Sequence, residues 1–173
     1  MHNAHASALP RRTRHESMNA APSPDPAQEL PHLAQLVVKQ GVGLGGLTPA
    51  QQVRALGLVW AGLPSQAVNE AGINQVLKAQ LAGPAAFLDT DHVELRRWLV
   101  DCGCLQRDGY GRAYRQVPAE ALPARFLPLA RVLQGMDIQA WVECQRATQT
   151  ATRAARRAAW EERARNDPPG AGG

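Results

Sequence analysis

Aromatic residues are scarce in this chain, at 5%, and alanine supplies much of its 45% hydrophobic fraction. Any core is therefore modest and mainly aliphatic. Lysine is nearly missing: Lys39 and Lys78 stand against seventeen arginines. That bias suits bidentate phosphate contacts, and equally a GC-rich coding sequence. Cysteine is limited to Cys102, Cys104 and Cys144, an odd number that fits reduced thiols in a cytoplasmic protein. A tetrahedral zinc site wants four ligands, but Cys144 is distant in sequence from Cys102, Cys104 and His92 and no second CxxC-like pair is present, so neither a metal nor a cofactor is expected. No run approaches the roughly 20 apolar residues of a membrane span. Residues 1–20 lack the apolar stretch of a signal peptide, with Met18 an alternative start. No membrane partner is expected. The formal charge is only +4 and no segment is polybasic. No nucleophile–base pair is visible, which argues against an enzyme.

What is present is mostly helical patterning. Residues 1–26, rich in Pro, Ala, Ser and His, predict a disordered tail. The N-terminal helices fall within 27–62. Leu30, Leu33, Leu36 and Val37 mark the first, over about 28–40. The glycines at 41, 43, 45 and 46 predict a flexible link, and they are no phosphate loop because no Lys-Ser/Thr follows. Thr48-Pro49-Ala50-Gln51 reads as a capping box with proline in the first turn. Asn69 is the expected cap of a helix ending at Gly83-Pro84, although Gly72 lowers its propensity. Asp91 and Glu94 stand in capping-box relation for a helix over 92–102. Leu105–Arg107 and Arg112–Val117 then predict hairpin arms around Asp108-Gly109-Tyr110-Gly111. Residues 118–136 hold a short helix and a linker, from Phe126 to a stop at Gly135. Asp137 opens a long helix over 137–165, whose apolar face fades beyond Cys144. A disordered tail, 166–173, closes the chain. The expected fold class is mainly α with a small β-hairpin: a winged helix-turn-helix-like core over 63–117 plus a long C-terminal helix.

The helix 92–102 carries two arginines. At about 100° per residue, Leu95, Trp98, Leu99 and Cys102 share the core face, Cys102 serving as a small apolar residue. Arg97 lies opposite between Val93 and Val100, with Arg96 on the flank. A helix followed by a ribbon suits double-stranded DNA, the helix in the groove and the ribbon on the backbone. The candidate nucleic-acid-binding residues are Arg96 and Arg97 on the helix and Arg107, Arg112 and Arg115 on the ribbon, beside Tyr110. Competing readings are a surface ion pair of Arg97 with Asp101 and a charged sheet edge that discourages aggregation. Val93 and Val100 point instead to a covered face. Tyr114 is expected in the core. In the C-terminal helix, Arg146, Arg153, Arg156, Arg157, Arg163 and Arg165 accompany Trp160. Ala147, Ala151, Ala155 and Ala158 form a small-residue seam for a homodimer; nucleic-acid contact or plain solvation are the other readings.

Three separated motifs carry a family resemblance. They are Ala71-Gly72-Ile73-Asn74-Gln75-Val76-Leu77, Asp91-His92-Val93-Glu94-Leu95-Arg96-Arg97-Trp98-Leu99-Val100-Asp101, and the set Gly103, Leu105, Arg107, Gly111 and Tyr114. Residues 63–117 thereby resemble a bacterial domain-of-unknown-function family, number 2087 of its series. Its pattern has a Glu-Val-Asn-x-x-Leu run, a Leu-Arg-Arg-x-Leu-Val-Asp helix and a Leu-x-Arg-x-x-x-Gly-x-x-Tyr ribbon. This chain departs from it at Gly72, where glutamate is usual, and at Val68, where an aromatic is usual. The resemblance implies a small winged helix, sometimes fused to helix-turn-helix regulators, and offers no catalytic residues. The expectation is a non-catalytic DNA-binding protein in transcription regulation. The alternative is a protein–protein interaction or dimerisation module built on the same fold.

Overall fold

The computed structural model describes residues 26–166. The tails expected at 1–26 and 166–173 lie outside them, except Pro26 and Asn166, which are helical. The described chain is mostly helical, with six α-helices and one small antiparallel sheet: α1 (Pro26–Val37), α2 (Pro49–Ala61), β1 (Val68–Asn69), α3 (Glu70–Ala82), α4 (His92–Asp101), β2 (Leu105–Arg107), β3 (Ala113–Gln116), α5 (Leu127–Leu133) and α6 (Ile138–Asn166). The sheet order is β1-β3-β2. A hairpin of β2 and β3 was expected. The third strand pairs only Val68 with Tyr114 and Asn69 with Ala113, too short a run to leave an alternating pattern in the sequence.

Local chemistry sets the helix boundaries. At α2 both halves of the capping box form: Thr48 Oγ1 accepts from Gln51 N–H, and Gln51 Oε1 accepts from Thr48 N–H. Asn69 caps α3 by accepting from Gly72 N–H at 2.8 Å. A methyl at position 72 would lie 3.2 Å from Val68 Cβ and 3.3 Å from Asn69 Oδ1, so glycine leaves room for that cap. Asp137 caps α6 through Ala140 N–H at 3.0 Å. Helix α4 ends at Gly103, with φ +75°. Gly103 N–H donates to Val100 O, and Cys104 N–H donates to Leu99 O at 2.8 Å. This is a Schellman ending, with buried Leu99 and Cys104 supplying its apolar contact. Cys104, rather than Cys102, is thus the fully buried thiol; Cys102 is half-buried at the cap.

One apolar core joins all six helices and the sheet, centred on Leu33, Leu56, Ile73, Leu77, Leu95, Leu99 and Phe126. Helix α1 packs on α2, α5 and α6, and α4 on α2, α3 and β2. Gly57, inside α2, permits the close approach of α5: a methyl there would lie 2.6 Å from Leu129 Cδ2. A buried glutamate, Glu29, binds α1 to α2 by accepting two hydrogen bonds from Arg54, at 2.9 and 3.3 Å. The glycine-rich 41–46 segment is built in, contrary to the flexible link expected from composition. Val42 bridges to the α3–α4 loop, accepting from Asp89 N–H and donating to Phe87 O, and Leu44 and Leu47 are buried. Two leucines and a strand-like bridge outweigh the backbone freedom of four glycines.

The 29-residue α6 extends about 44 Å. Ile138 and Val142 are buried, whereas every residue from Ala151 to Asn166 is exposed, as the fading apolar face predicts. Arg146 marks the joint. Its Nε donates to Val37 O at 3.2 Å, one terminal nitrogen to Gly83 O at 3.1 Å and the other to Pro84 O at 3.2 Å. One guanidinium thereby satisfies carbonyls at the C-terminal ends of both α1 and α3.

Candidate nucleic-acid interface

Asp91 opens α4 with Oδ1 accepting from Val93 N–H at 2.7 Å and Glu94 N–H at 2.8 Å. Those bonds, Glu94's first, hold the Asp91 carboxyl below its ordinary value. The second half of the expected capping box does not form. Glu94 instead accepts from the Thr90 hydroxyl at 2.8 Å and from Trp98 Nε1 at 3.4 Å. Trp98, assigned to the core face, is correspondingly only half-buried.

The five candidate arginines do not form one surface. Arg96 faces inward. Its NH1 lies 2.9 Å from Glu70 Oε1 and donates to Asn74 Oδ1 at 2.6 Å, and its guanidinium stacks 5.3 Å from the Tyr114 ring centre. With 13% of its side chain exposed, Arg96, expected at the groove, ties α3, α4 and β3 together. On the helical wheel it lies about 100° from Leu95, on the side that α3 covers. Sequence alone shows the flank but not its occupant. Asn74, Arg96 and Tyr114 come from the three separate family motifs and meet around this one guanidinium.

Arg97 is exposed and makes no ion pair among the described residues, so the alternative pair with Asp101 is not formed. Val93 and Val100 beside it are half-buried. Glu94 and Asp101, both exposed, place negative charge on the same outer surface of α4. Helix α1 lies against α2, α5 and α6.

The hairpin divides its arginines between two faces. Arg107 pairs with Tyr114 and Gln106 with Arg115, and directly opposed residues of an antiparallel pair share a face. Arg107 is therefore on the Tyr114 side. Its guanidinium lies over Gly111, where a methyl would come within 3.1 Å of Nε, and Gly111 adopts φ +71°. Arg112 stacks 4.8 Å from the ring of Tyr110, which is 81% exposed. Arg115 is on the opposite face, donating to Gln106 Oε1 at 2.8 Å. Asp108 fixes the turn: its backbone N–H donates to Ala113 O, and its Oδ1 accepts from Arg112 N–H at 2.7 Å. Hydrogen bonding from the Ala113 backbone first, with Arg112 and Gly111 adding to it, depresses its carboxyl below the ordinary value. Tyr114 is buried, as expected of an inward strand position. The hairpin tip thus brings Arg107, Arg112 and Tyr110 together, with Arg97 on the adjoining helix.

Among the described residues no group of three or more His, Cys, Asp or Glu is arranged to hold a metal ion. Burial pushes the Cys104 thiol up to about 12, which disfavours the thiolate that a metal or a nucleophilic reaction needs. No described helix is long and apolar enough to cross a membrane.

Residues 48–116 match the family described as "Uncharacterized protein conserved in bacteria (DUF2087)", the family that the three motifs resemble. The match opens at Thr48, and so takes in α2 ahead of the 63–117 stretch marked by the motifs. No curated protein and no solved structure matches the chain.

Proposed function

We propose that residues 48–116 form a winged-helix-like unit that binds double-stranded DNA without catalysis, in transcription regulation. The observation that carries this reading is the junction of α4 and the hairpin. Helix α4 ends on a Schellman turn directly beside a short ribbon, and Arg97, Arg107 and Arg112 are exposed on these two elements. Helix α4 enters the major groove with Arg97 toward base edges or phosphate. The ribbon tip places Arg107 and Arg112 on the backbone, where guanidinium forks bind phosphate oxygens. Arg96 supports the helix from behind, and Arg115 lies outside the contact.

Titration of duplex DNA at several salt concentrations tests this. Two phosphate contacts, or three where Arg97 also meets phosphate, give a slope of log K against log salt of about −1.8 to −2.7. Arg97→Ala and the pair Arg107→Ala/Arg112→Ala each lower the affinity, and the pair flattens the slope. No binding by the folded wild-type protein at low salt refutes the reading.

A second reading is a protein-interaction or dimerisation module, favoured by the fully exposed 151–166 half of α6 and by Trp160, 69% exposed on it. Its measure is molar mass by light scattering. A dimer that Trp160→Ala or Ala155→Glu dissociates supports it, and a monomer at high concentration removes the homodimer.

A further inference from the structure

Where α6 leaves the body, a cleft of about 260 Å³ opens between the end of α1, the loop after α3 and the helix itself. Its lining includes Lys39, Phe87, Arg146, Gln149, Thr150 and Arg153, and none of its lining residues is acidic. Lys39 and Arg153 are exposed, and they make no ion pair or side-chain hydrogen bond among the described residues. Arg146 spends three of its N–H donors on Val37 O, Gly83 O and Pro84 O. A guanidinium has five, so two remain. The Thr150 hydroxyl donates to Arg146 O, which seats that side chain on the helix and leaves the Gln149 amide as a further donor.

The electrostatics select the ligand. The C-terminal ends of α1 and α3 would by themselves repel an anion, because unsatisfied carbonyls carry the negative end of each helix dipole. Arg146 occupies those carbonyls and brings a full positive charge. With Lys39 and Arg153 added, the cleft is rich in donors and cationic, with buried Phe87 in its lining. Its volume is below the roughly 300–1,000 Å³ of drug-sized ligand sites, which suits a compact ion.

We propose that this cleft binds a small multivalent anion, of the phosphate or polycarboxylate class, held between Lys39 and Arg153 with Gln149 and the free donors of Arg146. The bound anion joins α6 to the end of α1 at Arg153, beyond the last half-buried residue of the helix, Gln149. It thereby extends the docked part of α6 toward the free arm. The site lies apart from α4 and the hairpin, and the proposal is independent of the DNA reading.

Calorimetric titration of the full chain with inorganic phosphate, pyrophosphate and citrate, at ionic strength held constant with sodium chloride, tests it. Pyrophosphate against citrate separates a phosphate ligand from a polycarboxylate. We expect saturable one-site binding of at least one of these anions, with amide shifts in NMR spectra centred on Phe87 and Gln149. The variant Lys39→Ala/Arg153→Ala, altered only at exposed positions, loses about tenfold or more in affinity. A charge-matched control, Lys78→Ala/Arg131→Ala, retains wild-type affinity. The proposal is overturned by the absence of saturable binding, by equal weakening in the control, or by shifts at Phe87 and Gln149 that only duplex DNA produces.

Discussion

Arg146→Ala is the sharpest test of how α6 is held. The side chain is half-buried and reaches 109 residues back along the chain to Val37, and 63 and 62 residues back to Gly83 and Pro84. Hydrogen bonds from a charged donor contribute about 1.5–3 kcal/mol each when the acceptor is otherwise dry. These carbonyls border an open cleft and regain water in the mutant, so the loss falls to about 2–4 kcal/mol for the three together. For a chain of this size that lowers the melting temperature by roughly 5–15 °C. Arg146→Lys keeps the charge but offers a point donor instead of a fork, and should recover less than half of the loss. Arg157→Ala, on the exposed arm, should fall within about 0.5 kcal/mol of wild type. Differential scanning calorimetry gives the global effect. Hydrogen exchange then shows whether amides of Ile138–Arg146 lose protection before those of α2 and α3. A mutant with unchanged melting and unchanged protection in α6 would show that Ile138 and Val142 seat the helix without the guanidinium.

Two further outcomes follow from packing. Gly57→Ala gains about 1 kcal/mol of helix propensity, but drives a methyl against Leu129, which is 1% exposed. Overpacking of this kind costs about 1–3 kcal/mol, so chemical denaturation should show net destabilisation, relieved in part by Leu129→Ala in a double-mutant cycle; a stabilised single mutant refutes the close approach. Thiol alkylation followed by mass spectrometry should modify exposed Cys144 first and half-buried Cys102 more slowly. Cys104, with its thiol pushed up to about 12, should react only on unfolding, and early labelling there would contradict the Schellman packing.

What could be read from the sequence was what adjacent residues decide. The caps at Thr48, Asn69, Asp91 and Asp137 act within three residues, and each occupies its expected place. The hairpin turn and the fading face of α6 were legible for the same reason. The misreadings arose where a distant partner decides. Arg96 looked like a groove residue because Glu70, Asn74 and Tyr114, which consume it, lie 18 to 26 positions away. Arg146 looked like one of several solvent-facing arginines, since nothing near it in sequence announces three backbone carbonyls. The glycine segment looked loose because its order comes from Leu44, Leu47 and the bridge of Val42 to the α3–α4 loop. Of the five candidate contacts, Arg97, Arg107 and Arg112 are exposed, and the last two lie at the hairpin turn. Strand parity, with Tyr114 inward, already puts Arg115 on the other face.

The stiffness of α6 has a mechanical consequence. About 30 Å of helix runs from Arg146 to Asn166 at 1.5 Å per residue, and all of it beyond Thr150 lacks lateral support. Tilting that rod by about 10° at its pivot carries its tip some 5 Å sideways, about the rise of one helical turn. The cleft at Lys39 and Arg153 sits beside the pivot. A sub-ångström adjustment there is magnified by leverage before it reaches the far end, and whatever is grasped at the tip would register it.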